Sequence, residues 1–368
     1  MVLRASAGTA RRTALWLIPV PELGGVARHA LDATAAGIPG WRVIVLCPEG
    51  PLAEALRDQD TPVLTGPVSP ADGTRCATAH VRGVLRRLRP DVLHTHLAFA
   101  DLTGVAAATG LRSGRGRRIR VVSTEHGIAG VRGYYQAGRP QAAAKAAAHR
   151  ARLHRTDAVI AVSESTREQI HAQWGHAAPV TVIRNEVQVP AGVPQPRPGL
   201  RILSLARLAP EKRIDELLRA FALVLAEHPQ ARLTIAGTGP CEAELRAVAA
   251  ELGLAEAVTF PGHVDAAAAL AEHDVVVQLS VWENLSYTLL DAVAYGLGVV
   301  ATDVGGNAEI VPARCLVVAE DHRGVAAMVL EQGLEPARRP VRPPESGGDH
   351  GLARMTAQID RTYAEAVA

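Results

Sequence analysis

The stretch that decides the fold runs from Ser280 to Glu309 and reads SVWENLSYTLLDAVAYGLGVVATDVGGNAE. Just before it, residues 274–279 (DVVVQL) form a short β-branched run of the kind that makes a buried strand. Ser286 then offers a hydroxyl cap to a helix beginning near Tyr287. Leu289, Val293 and Leu297 recur every four residues on one helical face. Gly296 and Gly298 end the helix before Val299-Val300-Ala301 opens another strand. Strand, loop, helix and strand in succession build a parallel sheet. The loop 282–286 therefore falls at the carboxyl end of that sheet beside a helix N-terminus, where ligands bind and backbone amides favour anions and hydroxyl oxygens.

The same alternation extends outward in both directions. Residues 14–19, 43–47, 91–94, 121–125 and 157–162 read as strands in the first half, and residues 200–205, 231–236 and 258–264 in the second, with helix-forming segments between them. Residues 189–199 (VPAGVPQPRPG), rich in proline and glycine, form a linker between two such units. The reading is α/β, with two Rossmann-like, doubly wound parallel-sheet domains facing a central cleft. The predicted boundaries are 13–188, linker 189–199, 200–350, and a final helix over 351–368 carrying Met355, Ile359 and Tyr363 on one face. Residues 331–351, full of proline, arginine, glycine and charge, are expected to be a mobile surface segment.

A chain of 368 residues exceeds what one core usually supports, which agrees with two domains. A formal net charge of +2 supplies no broad field for nucleic acid. Cys47, Cys76, Cys241 and Cys315 are widely spaced, against a zinc or disulfide framework and in keeping with a reducing cytoplasm. No run of 18 apolar residues and no signal-peptide core is read, so no transmembrane segment is expected. The basic loop 111–120 (LRSGRGRRIR) reads as a solvated connection or a peripheral contact with anionic lipid or an anionic acceptor. Lys145 and Lys212 are the only lysines among 39 basic residues, so a lysine in a loop one residue from an arginine stands out.

Chemistry concentrates at strand ends. Arg207 leaves one strand and Lys212 follows five residues later at a helix start, a fork and a mobile point charge suited to a diphosphate. Gly24 and Gly25 sit between the first strand and helix, where a ligand can approach the backbone. His94 and His96 end one strand, and Glu125-His126 ends the next. Imidazoles placed there read as hydrogen-bonding groups in preference to a metal site. Glu283 and Asp291 frame the loop and helix at an eight-residue offset. A glycosidase pair needs its carboxyls roughly 5–9.5 Å apart, and this spacing gives hydrolysis no support.

These motifs resemble the retaining GT-B glycosyltransferases of family GT4. Ser280, Glu283, Asn284, Leu285, Leu290, Asp291 and Ala292 match its S-x-x-E-G-F/N-x-x-x-x-L-E-A signature, with Asp291 in place of the second Glu. Residues 206–215 resemble its G-R-L-x-x-x-K-G-x-D segment, with Arg213 in place of glycine, where it would crowd or supplement the cationic clamp. Residues 182–187 match I-P-N-G-V, with Arg184 and Glu186 replacing Pro and Gly, so the loop must take another path or accept strain. The segment 305–309 resembles G-G-x-x-E.

The resemblance implies a nucleotide-diphosphate sugar, UDP-sugar favoured and GDP-sugar possible, and an acceptor hydroxyl on a small natural product, an aminocyclitol or a saccharide. It puts Arg207 and Lys212 on the diphosphate, Asp291 on the ribose, and Gly262, His263 and Val264 beside the base. Glu283 and the amides of Asn284, Leu285 and Ser286 meet the sugar, and His126 and the Gly24-Gly25 loop complete the site. It implies retention, no cofactor and no required metal. A GT-B nucleotide-sugar epimerase and a non-catalytic nucleotide-sugar-binding partner are the alternatives.

Overall fold

The computed structural model describes residues 11–128, 139–189, 195–341 and 349–368. Its first sheet contains β1 (Arg12–Leu17), β2 (Trp41–Cys47), β3 (Val63–Thr65), β4 (Val92–His96), β5 (Arg120–Glu125), β6 (Ala158–Ala161) and β7 (Val180–Val182), in the order β3-β2-β1-β4-β5-β6-β7. The second contains β8 (Arg201–Leu205), β9 (Arg232–Ala236), β10 (Val258–Gly262), β11 (Val275–Gln278), β12 (Gly298–Thr302) and β13 (Leu316–Val317), in the order β10-β9-β8-β11-β12-β13. All pairings within the two sheets are parallel.

Parallel strands covered by helices on both faces need apolar side chains on both faces, which is why β11 is a continuous Val-Val-Val run. All four of its residues are buried, as are all five of β4. In each sheet the strand order reverses beside the first strand, at β1/β4 and at β8/β11. These are the two switch points, where loops part in opposite directions and leave a crevice. Loops 206–212 and 282–286 leave the two strands of the β8/β11 switch point, and residues 126–127 follow β5, one strand beyond the β1/β4 switch point.

The last helix, Asp349–Val367, packs Leu352, Met355, Ile359, Tyr363 and Val367 into the core of the first sheet, beside Trp16 and Trp41. Trp41 Nε1 donates to Asp360 at 2.9 Å, and Trp16 Nε1 to the buried Tyr363 hydroxyl at 2.8 Å. Burying side chains of that size contributes roughly 1.5–3 kcal/mol each. The helix is therefore an integral part of the first domain's core.

Two expectations need correction and two are sharpened. Gly298 does not end a helix; it opens β12, packed against the Gln332 backbone. Residues 331–341 are anchored: Gln332 is fully buried, and buried Arg339 donates to the carbonyls of Gln332, Gly333, Gly296 and Arg197. Residues 342–348, the rest of the segment read as mobile, lie outside the described residues, as do linker residues 190–194. Glu186 shows no left-handed backbone and pairs with Arg354 of the last helix, so of the two courses expected for this loop it takes another path in place of strain. The basic loop is largely exposed, as a solvated connection should be, with Arg118 and Arg120 paired to Asp157 and Arg115 to Asp91.

Candidate functional site

At the β8/β11 switch point the chain leaves β8 through Arg207, makes a 3-10 turn over Pro210–Lys212, and enters the Ile214–Glu227 helix through Arg213. Arg213 adopts a left-handed φ of 48° and ψ of 43°. That conformation is easiest for glycine. Its guanidinium pairs with Glu320 at 2.6 Å. Arg213 neither crowds nor supplements the clamp, contrary to the sequence reading.

Lys212 Nζ lies 2.5 Å from Glu283 Oε1, and Gln278 Nε2 donates to the same oxygen at 2.9 Å. Glu283 thus gathers a cation and an amide from two elements at one point. Arg207 donates to Glu211 at 2.8 Å and keeps 58% of its side chain exposed, against 20% for Lys212. Both cations rest on carboxylates that an incoming dianion can replace. Ser286 caps the Tyr287–Ala294 helix, accepting from Leu289 N at 3.3 Å.

Loop 282–286 is held from behind by Gly305-Gly306. Gly305 has φ +56°, and a Cβ there would sit 1.8 Å from the Glu283 carbonyl oxygen. Gly306 N donates to Asn284 O at 2.6 Å. No larger residue allows that approach, so the glycine pair fixes the backbone carrying Glu283. At the end of β10, Gly262 accepts from Gly237 N at 2.7 Å, and Val264 packs against the core that holds Leu203, Ala236 and Val276. His263 follows in the same loop.

At the β1/β4 switch point the residues are uncharged. Tyr363, which accepts from Trp16, donates its hydroxyl to His94 Nδ1 at 2.6 Å, and His94 Nε2 then donates to Thr124 Oγ1 at 2.7 Å. His94 is committed to hydrogen bonds, as its strand-end position suggested. Glu125 turns away from the cleft to Arg152, which also pairs with Asp101 at 3.2 Å. One guanidinium serves two buried carboxylates, and burial raises the Glu125 carboxyl to about 7.

His96 Nδ1 and His126 Nε2 share a hydrogen bond at 2.9 Å. His29, from the Gly25–Ala36 helix, meets His126 edge-on at 4.9 Å between centroids. Burial lowers His29 to about 4 and holds His96 and His126 well below the usual imidazole range, with the neighbouring imidazoles reinforcing the effect at the latter two. All three are neutral at pH 7.

The two switch points meet. A Cβ on Gly127 would lie 2.6 Å from Asn284 Nδ2, so the His126-Gly127 turn touches the Glu283 loop directly. Asn185 Nδ2 donates to Leu285 O at 3.3 Å, while its Oδ1 faces His29 Nδ1 at 3.2 Å. The Gly24-Gly25 turn starts the helix that carries Arg28, and a Cβ on Gly25 would meet the Tyr287 ring at 3.8 Å. Arg28 reaches both oxygens of Asp291 at 3.2 and 3.3 Å. Glu309 accepts from Arg184 at 2.7 Å and from Ser165 N at 3.3 Å.

Asp291 therefore stands in the cleft, yet its carboxylate is bound by the first domain. Arg28, His29, Asn185 and Glu309 received no role from the sequence. Their signal was weak, consisting of polar residues inside a helix or a turn whose partners across the cleft lie 100 or more positions away.

Two parallel-sheet domains with a cleft joining their switch points define a GT-B-type glycosyltransferase. Two family models cover most of the chain: "Glycosyltransferase Family 4" over residues 23–189 and "Glycosyl transferases group 1" over residues 199–332. The chain belongs to this family of enzymes. It is 28% identical over 338 residues to a glycogen synthase of Mycobacterium tuberculosis, covering 80% of this chain and 78% of that one. A GDP-mannose-dependent alpha-mannosyltransferase of Mycolicibacterium smegmatis is 32% identical over 244 residues, 62% of this chain and 60% of that protein. Among solved structures, Anabaena HepE in complex with UDP and glucose superposes with a TM-score of 0.75 at 18% identity, covering 95% of this chain and 99% of that one. None of the helices among the described residues is long and apolar enough to cross a membrane.

Proposed function

We propose that the enzyme transfers a hexosyl group from a nucleotide-diphosphate sugar to an acceptor hydroxyl, with retention at the anomeric carbon. The observation that carries this reading is the Lys212–Glu283 pair, drawn from the loops after β8 and β11 and closed to 2.5 Å at the switch point. An incoming diphosphate takes Lys212 and Arg207 from their carboxylates. Glu283, released from Lys212, turns to the sugar hydroxyls beside the amides of Asn284, Leu285 and Ser286.

As the glycosidic bond lengthens, the anomeric carbon gains oxocarbenium character and negative charge collects on the departing diphosphate. Fixed cations act where that charge develops, and loss of one such contact costs about 2.7–4 kcal/mol. In this reading no metal is needed for the leaving group. The neutral imidazole of His126 lies on the opposite wall, where a hydroxyl-rich sugar needs hydrogen bonds and no counter-charge. Asp291 serves the ribose once Arg28 yields or shares its carboxylate. UDP is the favoured base carrier, consistent with the UDP held by the structural relative, and GDP is the second choice.

The test is incubation with UDP- and GDP-hexoses and UDP-N-acetylhexosamines, with and without a panel of saccharide, aminocyclitol and small-phenol acceptors, followed by mass spectrometry and by proton NMR, which separates epimers of equal mass. A product heavier than the acceptor by one hexosyl residue supports transfer. Conversion of the sugar nucleotide to its epimer without acceptor would establish the epimerase reading instead.

A further inference from the structure

We propose that His29, His96 and His126 form a binding site for a zinc-class divalent cation at the carboxyl edge of the first sheet. One ring nitrogen from each lies within 4.8 Å of the other two. The three come from separate elements: the second turn of the Gly25–Ala36 helix, the end of β4, and the residue after β5. Trp16 backs the group, its ring 5.8 Å from His29 and 4.6 Å from His96.

The hydrogen bonds around the cluster dictate which nitrogens carry lone pairs. Asn185 uses Nδ2 as a donor to Leu285 O, so it presents its oxygen to His29 Nδ1, and His29 must donate there. The proton of neutral His29 is thereby spent on Nδ1, which leaves Nε2 a bare lone pair. His29 is 1% exposed, and its Nε2 has no hydrogen-bond partner among the described residues. His96, 0% exposed, likewise has a buried Nε2 without one. A buried nitrogen acceptor without a donor costs free energy that a cation recovers.

Neutral imidazole is the form that ligates metal, and three such ligands with one further position match an open zinc site. Zinc–nitrogen bonds of about 2.0–2.1 Å put tetrahedral ligand nitrogens roughly 3.3 Å apart, so closing the set takes ring rotation and the exchange of the His96 Nδ1–His126 Nε2 hydrogen bond for the cation, which frees the His126 lone pair. His126 is half-buried and adjoins exposed Gly127, giving the cation an entry from the cleft. Asn185 supplies the partner that fixes the tautomer of a ligating histidine. Building on the reaction proposed above, a bound cation occupies the His126 lone pair and so inhibits transfer.

The experiment is calorimetric titration of chelator-treated, desalted full-length protein with Zn2+, paired with X-ray absorption at the zinc edge. The expected result is one ion per chain at micromolar affinity or tighter, with three imidazole nitrogens at about 2.0–2.1 Å. Asn185→Leu should weaken binding by about 10–100-fold, as loss of such an outer partner does, and His29→Ala by at least as much. His171 and His176, stacked at 3.9 Å away from the cluster, are the alternative binder. The double variant His171→Ala/His176→Ala keeps the site if the proposal is right. Loss of binding in that double variant, undiminished binding in folded His29→Ala, or no binding to wild type would overturn it. Binding without inhibition of transfer would uphold the cation site and count against His126 at the sugar.

Discussion

The two switch points are built from opposite chemistries. At β8/β11 the groups are charged and paired, Lys212 across to Glu283 and Arg207 within its own loop to Glu211, with Arg207 largely open to solvent. At β1/β4 the imidazoles are neutral and packed, His29, His94 and His96 against Trp16 and His126 stacked on His96. A cation resting on a carboxylate can be handed to a diphosphate at little cost, because one ionic partner replaces another. A dry wall of neutral imidazoles cannot hold a diphosphate, but it can read hydroxyls. The reaction proposed above would use both walls.

The comparison breaks most sharply at the buried ion triad behind the neutral wall. Replacing Arg152 with Ala strands Asp101 and Glu125 without their shared cation, and breaking a buried pair in this way costs about 3–5 kcal/mol. Thermal or urea unfolding at about pH 8, above the titration of Glu125, should register a loss of that size. A change below 1 kcal/mol would mean that the two carboxylates were already protonated or solvated.

On the charged wall, Lys212→Ala should lower kcat by about 10²–10³-fold while leaving the unfolding midpoint nearly unchanged, since Lys212 sits at the cleft surface. Steady-state kinetics with the preferred donor checks this. Equal kcat would remove Lys212 from the leaving-group side.

A smaller effect sharpens the same contrast through pH. Folded Glu125 keeps its proton up to about pH 7, whereas an unfolded glutamate releases it near 4.5. The folded chain therefore binds more protons in that window. Stability from this group is complete below about pH 4.5 and is lost as pH rises toward 7, by at most about 1.4 kcal/mol per unit. Glu125→Gln should flatten that part of the stability profile, as measured by urea titrations at successive pH values. An unchanged slope would place the titration elsewhere.

How much of this was legible in the sequence follows from which interactions are local. The alternation of buried strands and helices is written in runs such as residues 274–279, and the Ser286 cap lies one residue ahead of the helix it starts; both survive in the structure. Arg207 and Lys212 stood out because one loop holds both. Short β3 and β13, three and two residues long, carry too few side chains to show a period. Contacts between the domains were invisible, because Arg28–Asp291, Asn185–Leu285 and Arg184–Glu309 join positions that only the closed cleft brings together. The anchoring of Arg339 was hidden by composition, since a proline- and arginine-rich segment reads as solvated even when one arginine collects four carbonyls.

The most direct test of the charged wall is calorimetric titration of wild type, Lys212→Ala and Arg207→Ala with UDP, GDP, ADP and TDP, and with the nucleoside of whichever binds best. The account predicts micromolar binding of one diphosphate to wild type, a loss of at least tenfold in each variant, and nucleoside binding that hardly changes. Equal losses for diphosphate and nucleoside, or no binding of any diphosphate to wild type, would contradict it.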